Sequence, residues 1–233
     1  MKLNGIFGKG SGKVGESVWA VSGGVQIVRP YNPNVTNPNT DAQVEQRAKF
    51  KLLSQLAAAF APVIAIPKKG LVSARNQFVS ANIGLATYAN DHASFPLVKL
   101  QLTIGTAVLP GLFCERGENG KFNVRLQDNY ASYADKVIYV FAENCEGDQI
   151  RVFSTVIAEA GGNGDFAALL PSSDNSGFVY AYAVKFASSS EKTKFENYVY
   201  EADSPNAVLG IVQRMLASGN KFSQTIASPV VGL

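Results

Sequence analysis

The segment Asn37-Pro38-Asn39-Thr40-Asp41-Ala42-Gln43 joins a glycine-rich, basic leader to the first helical pattern, and the chain is organised around it. Thr40 stands where a helix N-cap belongs. Gln43 lies three residues later, which is the spacing of a capping box, in which the Thr hydroxyl accepts from the backbone and the Gln amide reaches back. Pro38 disfavours helical backbone at the residue before it. The segment therefore predicts a helix that begins at Asp41.

The predicted helix runs to about Ala61, because Pro62 cannot continue it. Arg47 and Phe50 follow Gln43 at one-turn intervals, which places the three on one side of the helix. Two roles remain open for Gln43 and Arg47: a cap with local hydrogen bonds or an ion pair, or an intersubunit contact. Its apolar residues recur at four-residue spacing, widened by two neighbours: Val44, Ala48, Leu52, Leu56 and Phe60, with Leu53 and Ala57.

A second helix is predicted from about Val72 to Asn82, with Ala74, Phe78 and either Val79 or Ala81 facing inward. The two helices are interpreted as one layer packed against the sheet that follows.

The leader has glycines at positions 5, 8, 10, 12 and 15, and three of them match the letters of a dinucleotide-binding fingerprint. The context does not match that function, because Ser17–Val21 and Val25–Arg29 around a Gly-Gly turn predict a β-hairpin where a dinucleotide-binding loop needs a helix. We expect the glycine segment to be flexible and to serve packing or docking. Trp19 is expected to cover the apolar face of the hairpin, in a core or an interface.

From Phe95 onward the hydrophobic period becomes two, which is typical of half-buried strands. Seven short strands separated by turn-rich segments indicate an α+β protein whose second part is an antiparallel β-sandwich of immunoglobulin or fibronectin type. The predicted strands are 98–104, 122–127, 137–142, 150–157, 166–170, 178–186 and 195–200.

The last segment differs in character from the strands. Ser204-Pro205 predicts the start of an amphipathic helix that Gly219 closes, and an apolar tail follows. The tail either docks on its own domain or reaches into a neighbouring copy. Three parts are therefore predicted: residues 1–92 with the arm, hairpin and helices, residues 93–202 with the sandwich, and residues 203–233 with the last helix and tail.

Composition indicates a globular protein, with 46% hydrophobic and 17% charged residues among 233. No apolar run is long enough to cross a membrane, and the N-terminal residues do not resemble a secretory signal. Up to Arg75 there are ten Lys and Arg against three Asp and Glu, a net charge of +7, while the remainder has eleven against fifteen, a net of −4. Such asymmetry suits a polyanion-binding arm or copies that stack head to tail.

Catalytic and metal-binding patterns are scarce in the sequence. His92 is the single histidine, so a histidine-rich metal site is excluded, and no Ser or Cys lies in a nucleophile motif. Cys114 and Cys145 are expected to be two reduced thiols, with a single disulfide as the alternative. We expect no cofactor, no metal and no enzymatic activity.

A series of short motifs is spread along the chain. They are Gly12-Lys13-Val14-Gly15, Val18-Trp19, Gly24 with Ile27 to Arg29, Asn37-Pro38-Asn39-Thr40-x-x-Gln43-x-x-x-Arg47-x-x-Phe50, Ser73-Ala74-Arg75-Asn76-x-Phe78-Val79, Leu102-Thr103-x-Gly105, Asp135-Lys136-Val137 and Asn197-x-Val199-Tyr200. In order and spacing they resemble a family of uncharacterised proteins from bacterial and bacteriophage genomes. The resemblance covers roughly residues 5–201 and implies a phage-associated context and a two-part layout, without a mechanism.

Two functions follow from these patterns. The first is a non-enzymatic bacteriophage virion structural protein, made in the bacterial host cytoplasm, that forms a homo-oligomeric ring, connector or capsid-associated layer with other virion proteins. Its candidate assembly residues are Trp19, Arg29, Thr40, Gln43, Arg47, Phe50, Leu216 and Leu233. The alternative is a nucleic-acid-associated protein, whose candidate phosphate contacts are Lys9, Lys13, Lys49, Lys51, Lys68, Lys69 and Arg75.

Overall fold

The computed structural model of the chain describes residues 2–3, 10–22, 24–34, 38–70, 72–116, 122–127, 134–145, 149–159, 164–166, 177–195, 200–202, 211–216 and 219–230. The helices are α1 (Asp41–Ala59), α2 (Ala74–Asn82) and α3 (Ser189–Phe195), and residues 211–216 are also helical. The strands are β1 (Lys2–Leu3), β2 (Gly10–Val14), β3 (Ser17–Ser22), β4 (Val25–Pro30), β5 (Thr87–Ala89), β6 (His92–Ser94), β7 (Leu112–Arg116), β8 (Phe122–Leu126), β9 (Lys136–Cys145), β10 (Gln149–Glu159), β11 (Gly164–Phe166), β12 (Gly177–Lys185), β13 (Tyr200–Ala202), β14 (Lys221–Phe222) and β15 (Ile226–Val230). Three of them, β7, β8 and β11, form a small sheet, and β5 and β6 form a hairpin.

A central antiparallel sheet carries both hydrophobic cores of the described residues. Its strand order is β13-β10-β9-β12, and β14 and β15 both pair with the outer side of β12. Side chains alternate between the two faces of a strand. On β9, Ile138 and Val140 enter the core under the helices, whereas Tyr139 and Phe141 enter the core under the small sheet. The sheet is therefore buried on both faces in its middle strands.

This layering confirms the α+β class. An immunoglobulin-like sandwich is not confirmed, because helices cover one face of the central sheet and only the opposite face meets a second sheet. A continuous buried run such as Val137–Ala142 in β9 is the sequence signature of a strand covered on both sides.

The predicted two-helix layer packs on the central sheet. Phe60, just after α1, makes an edge-to-face contact with Tyr180 of β12, with ring centroids 5.2 Å apart. The Tyr182 hydroxyl donates to the Val63 carbonyl at 2.7 Å, and complete burial raises the pKa of this phenol, which keeps it a neutral donor. On α2, Val79 faces inward and Ala81 is exposed, which decides between the two predicted alternatives.

The predicted strand at 98–104 is wrong, and its predicted inward positions hold only at Leu100 and Leu102. Val98 and Ile104 are exposed instead, residues 97–99 form a 3-10 turn, and the segment joins no strand. The backbone groups of this segment bond mainly to side chains, and the segment forms one isolated bridge with Ala65. Leu102 and the adjacent Thr103 are both buried, so the two-residue period of the sequence is neither the burial pattern nor a sign of strand pairing here.

The side chains that satisfy this backbone come from distant parts of the chain. Asn82, fully buried at the end of α2, accepts from the Gln101 N–H at 2.9 Å and donates to the Gln101 carbonyl at 3.0 Å. The Thr225 hydroxyl accepts from the N–H groups of Leu102 at 2.9 Å and Thr103 at 3.1 Å. These bonds replace a neighbouring strand.

The predicted strand at 195–200 is wrong at its first residue. Phe195 is the last residue of α3, where its ring stacks on Phe186 at 5.5 Å. Residues 196–199 lie outside the described residues, and Tyr200 belongs to β13. The Ser188 hydroxyl accepts from the Glu191 N–H at 3.3 Å, which is an N-cap interaction that starts the helix. Of the predicted strand 166–170, Phe166 ends β11 and residues 167–170 lie outside the described residues.

The C-terminal segment adds to the central sheet. Ile211, Val212 and Met215 of the helical residues 211–216 are buried in the core under the helices. β15 pairs with β12 along its length, from Ile226 opposite Ala181 to Val230 opposite Gly177. Of the two predicted alternatives, the described part of the tail follows the first and docks on its own chain.

Helix α1 begins at Asp41 as predicted, but the capping box is wrong. Thr40 has the extended backbone of an N-cap, with φ −70° and ψ 153°, yet its side chain makes no capping hydrogen bond. The Thr40 N–H donates to the Pro38 carbonyl at 2.8 Å, so Gln43 has no free donor to reach. The Gln43 Oε1 atom is buried without a hydrogen-bond partner.

The two N-caps should respond differently to alanine. Ser73 caps α2 by accepting from the Asn76 N–H at 3.2 Å, so Ser73→Ala should lower the free energy of unfolding by about 1 kcal/mol. Thr40→Ala should change it by less than about 0.5 kcal/mol, since no capping bond is lost. Urea unfolding followed by circular dichroism measures both. A larger loss for Thr40→Ala than for Ser73→Ala would contradict this assignment of the caps.

Candidate assembly surface

The N-terminal strands form a separate four-stranded antiparallel sheet in the order β1-β2-β3-β4, which we call the arm sheet. The predicted hairpin is present as β3 and β4, which pair from Ser17 opposite Pro30 to Ser22 opposite Val25. Gly24 in the connecting turn has φ +82°, a conformation that favours glycine.

The described part of the glycine segment, residues 10–15, is a strand followed by a turn. Residues 10–14 form β2, and Gly15, with φ +58°, turns the chain into β3. The Gln26 side chain binds the backbone of Gly10 on both sides, accepting from its N–H at 2.8 Å and donating to its carbonyl at 3.0 Å. This amide does at Gly10 what a neighbouring strand would do.

One face of the arm sheet is apolar and uncovered. The strand register places Val14, Trp19, Val21 and Val28 on this face, which we call the apolar arm face. Val21 is 43% and Val28 is 52% exposed, and Trp19 is half-buried. Neither hydrophobic core of the described residues includes a side chain from this sheet. Trp19 therefore lies on the apolar face of the hairpin, as predicted, but it belongs to neither of these cores.

The opposite face of the arm sheet combines charged and apolar residues. Lys13 and Arg29 flank Val18 in the register, so the structure brings these two cations to one row. The Lys13 ammonium lies 3.6 Å from the centroid of the Tyr31 ring, a cation–π contact. Val25 and Ile27 are also exposed here. The arm sheet therefore has exposed apolar side chains on both of its faces.

The other candidate assembly residues lie on or just before α1 and in the C-terminal segment. The Arg47 guanidinium donates to the Asn39 side-chain oxygen at 2.9 Å, which is one of the two predicted roles, a local hydrogen bond. Phe50 is 50% exposed, an uncovered aromatic ring. Leu216 packs beside the core under the helices, and Leu233 lies outside the described residues.

The candidate phosphate contacts divide into occupied and exposed groups. Lys49 pairs with Glu45 at 2.6 Å, and the Arg75 guanidinium donates to the Ser54 carbonyl at 2.9 Å. Lys9 lies outside the described residues. Within the part of the chain that the structure describes, Lys51, Lys68 and Lys69 are exposed and make no salt bridge.

The histidine and the cysteines, which were considered for catalysis or metal binding, lie on different elements of the fold. His92 is exposed in the β5–β6 hairpin, whose turn residues Asn90 and Asp91 have positive φ. Cys114 is a free thiol whose pKa is raised by burial, and the side chain of Cys145 is outside the described residues. Among the described residues, no three His, Cys, Asp or Glu side chains lie together as a metal would require.

Sequence reasoning missed the apolar arm face as a unit. The signal was present, because Val18 to Val21 and Val25 to Val28 carry apolar residues on both alternating sets, which leaves the hairpin without a polar face.

None of the helices in the described residues is long and apolar enough to span a membrane.

Residues 8–98 match the model of a family described as a family of unknown function (DUF6266). The chain is therefore similar to an uncharacterised family over β2–β4, α1, α2 and the β5–β6 hairpin. This range is shorter than the resemblance over residues 5–201 and includes the whole apolar arm face. No curated protein and no solved structure matches the chain.

Proposed function

We propose that the protein is a non-enzymatic assembly subunit, in which the apolar arm face of one copy packs against another copy. The observation that carries this proposal is the arm sheet itself, which exposes Val14, Val21 and Val28 and contributes no side chain to either core. A small sheet without a hydrophobic face to pack on is marginally stable in water. A neighbouring copy that covers the face supplies the missing core.

The free energy gained by burying apolar surface favours a covered arm sheet over one that is exposed to water. Covering apolar surface contributes about 25 cal/mol per Å², and contiguous exposed apolar patches mark interaction sites. The basic front and acidic back of the chain suit head-to-tail contacts, which close into rings when the rotation between copies allows it. We therefore propose a homo-oligomeric ring, connector or capsid-associated layer. A virion as the place of assembly is supported only by the resemblance to bacterial and phage sequences.

The test is light scattering of the purified chain with a matched pair of double variants. Val21→Ser with Val28→Ser removes two exposed valines from the apolar arm face. Val72→Ser with Val98→Ser removes two valines of similar exposure, 41% and 47%, from other parts of the surface. We expect a discrete oligomer for the natural chain and the control, and dissociation at concentrations at least about tenfold higher for the arm variant, because apolar contacts are lost.

Folding of the arm variant is checked separately by circular dichroism, so dissociation is distinguished from unfolding. A natural chain that stays monomeric at high concentration would overturn the proposal. Equal dissociation of the two double variants would overturn the role of the apolar arm face.

Nucleic-acid association is the second candidate, and the exposed cations Lys51, Lys68 and Lys69 favour it. The same light-scattering measurement, repeated with duplex DNA at low salt, separates the two functions. A monomer whose mass rises only with DNA, and falls back as salt is added, would replace the assembly proposal, since release of counterions makes such binding steeply salt-dependent.

A further inference from the structure

A cleft of about 470 Å³ lies between the end of α1, the start of α2 and the helical residues 211–216. Its volume is within the range of about 300–1,000 Å³ that is usual for small-molecule sites. The walls are mainly aliphatic, formed by side chains such as Ala57, Ile64, Ile66 and Leu216. Ile64 and Ile66 are themselves buried, so this wall is fixed by the core behind it.

The polar lining of the cleft is cationic. Among the described residues it consists of Lys68, Arg75 and Gln213, and none of these lining residues is a carboxylate. Arg75 is held in place because its Nη2 atom donates to the Ser54 carbonyl at 2.9 Å. A guanidinium has five N–H donors in a fixed fork, so this bond orients the group and leaves donors for a ligand. The first turn of α2 also lines the cleft, and its partial positive charge adds to the two cations.

We propose that this cleft binds an amphipathic anion, with a hydrocarbon chain along the aliphatic wall and a carboxylate or phosphate head at Lys68 and Arg75. A purely apolar ligand would leave both cations unused, and a small inorganic anion would leave the aliphatic wall exposed to water. The combination of the two surfaces selects a molecule that carries both. This inference does not depend on assembly, because the cleft shares no residue with the apolar arm face.

The probe is decanoate below its micelle concentration, measured by isothermal titration calorimetry on the full chain. We expect binding in the micromolar range. Hexanoate should bind at least about tenfold more weakly, because each buried methylene contributes about fourfold in affinity. Decanol, which has the chain without the charge, should also bind at least about fivefold more weakly, since a charge-assisted hydrogen bond is lost.

A matched pair of variants locates the site. Ala58 lines the cleft, so Ala58→Leu fills it, whereas Ala42→Leu adds the same atoms to an exposed position near the start of α1. Decanoate affinity should fall at least about tenfold for Ala58→Leu and stay unchanged for Ala42→Leu. Lys68→Gln should weaken decanoate about fivefold and leave decanol unchanged. The valine variants of the apolar arm face should bind decanoate like the natural chain.

Several results would overturn the proposal: no binding of decanoate, equal binding of decanoate and hexanoate, or equal affinity for the two leucine variants. Sedimentation with vesicles of anionic phospholipid separates a free acid from a membrane lipid as the source of the ligand. Binding to both decanoate and vesicles, or to decanoate alone, supports the site, and in the first case Ala58→Leu must weaken both. Vesicle binding without decanoate binding would reject it.

Discussion

Gly105→Ala is expected to lower the free energy of unfolding by about 3 kcal/mol, because there is no room for a methyl group at this position. A Cβ atom on Gly105 would lie 1.8 Å from the Phe222 carbonyl oxygen and 2.5 Å from the carbonyl carbon. Both are backbone atoms of the C-terminal segment, so no side chain can rotate away. The substitution must push apart two segments that the Gln224 N–H joins to the Ala107 carbonyl at 2.7 Å.

Gly84→Ala is the matched control for Gly105→Ala. Gly84 lies in the 3-10 turn after α2, it is exposed, and a Cβ atom there would meet nothing within 4 Å. The control should change stability by less than about 1 kcal/mol, and toward stabilisation, because alanine restricts the unfolded chain. Urea unfolding of both variants measures the difference. If the two alanines behaved alike, the C-terminal segment would not lie against Gly105.

Local signals predicted much of the framework. The start of α1 follows from Thr40 and Pro38, and the β3–β4 hairpin follows from its glycine turn, since each depends on residues that are neighbours in sequence. The middle strands β9 and β12 follow from their apolar runs. The class was predictable for the same reason, because an α+β layout needs only the type and order of the elements.

Long-range partners explain what the sequence did not predict. The sequence of residues 100–103 alternates apolar and polar residues like a strand, but the N–H groups of Leu102 and Thr103 bond to the side chain of Thr225, 123 and 122 residues away. Nothing near position 100 indicates this. The capping box failed for a local reason, because the Thr40 N–H is already bonded to the carbonyl of Pro38, two residues earlier. Propensity describes what a segment can form, and tertiary contacts decide whether it does.

The apolar arm face and the cleft also differ in how far apart in sequence their residues lie. The apolar arm face comes from one hairpin and its neighbour, so the residues that form it could be read from about twenty consecutive positions. The cleft is lined by three segments that are far apart in sequence, around residues 57, 75 and 213. Lys68 and Arg75 were recognised as cations, but the aliphatic wall beside them becomes visible only when the chain is folded.

Thr225→Val is expected to lower the free energy of unfolding by about 2–4 kcal/mol, with little change in side-chain volume. The Thr225 hydroxyl accepts from two buried N–H groups, those of Leu102 and Thr103, and lies 3.1 Å from the Thr103 hydroxyl. Because the Thr103 hydroxyl donates to the Ser223 carbonyl, the Thr225 hydroxyl donates in turn to Thr103. Valine leaves both N–H groups without a partner, at about 1–3 kcal/mol for each.

Thr225→Ser separates the hydrogen bonds from packing. Serine keeps the hydroxyl and loses one methyl group, so it should cost about 1 kcal/mol through burial alone. The order expected in urea unfolding is therefore natural chain, Thr225→Ser, Thr225→Val. A valine variant as stable as the serine variant would show that water or another group reaches these N–H groups, and that the tail does not replace a strand beside residues 100–103. A valine variant that unfolds first would establish that one side chain of the C-terminal tail holds the segment between the helical layer and the small sheet.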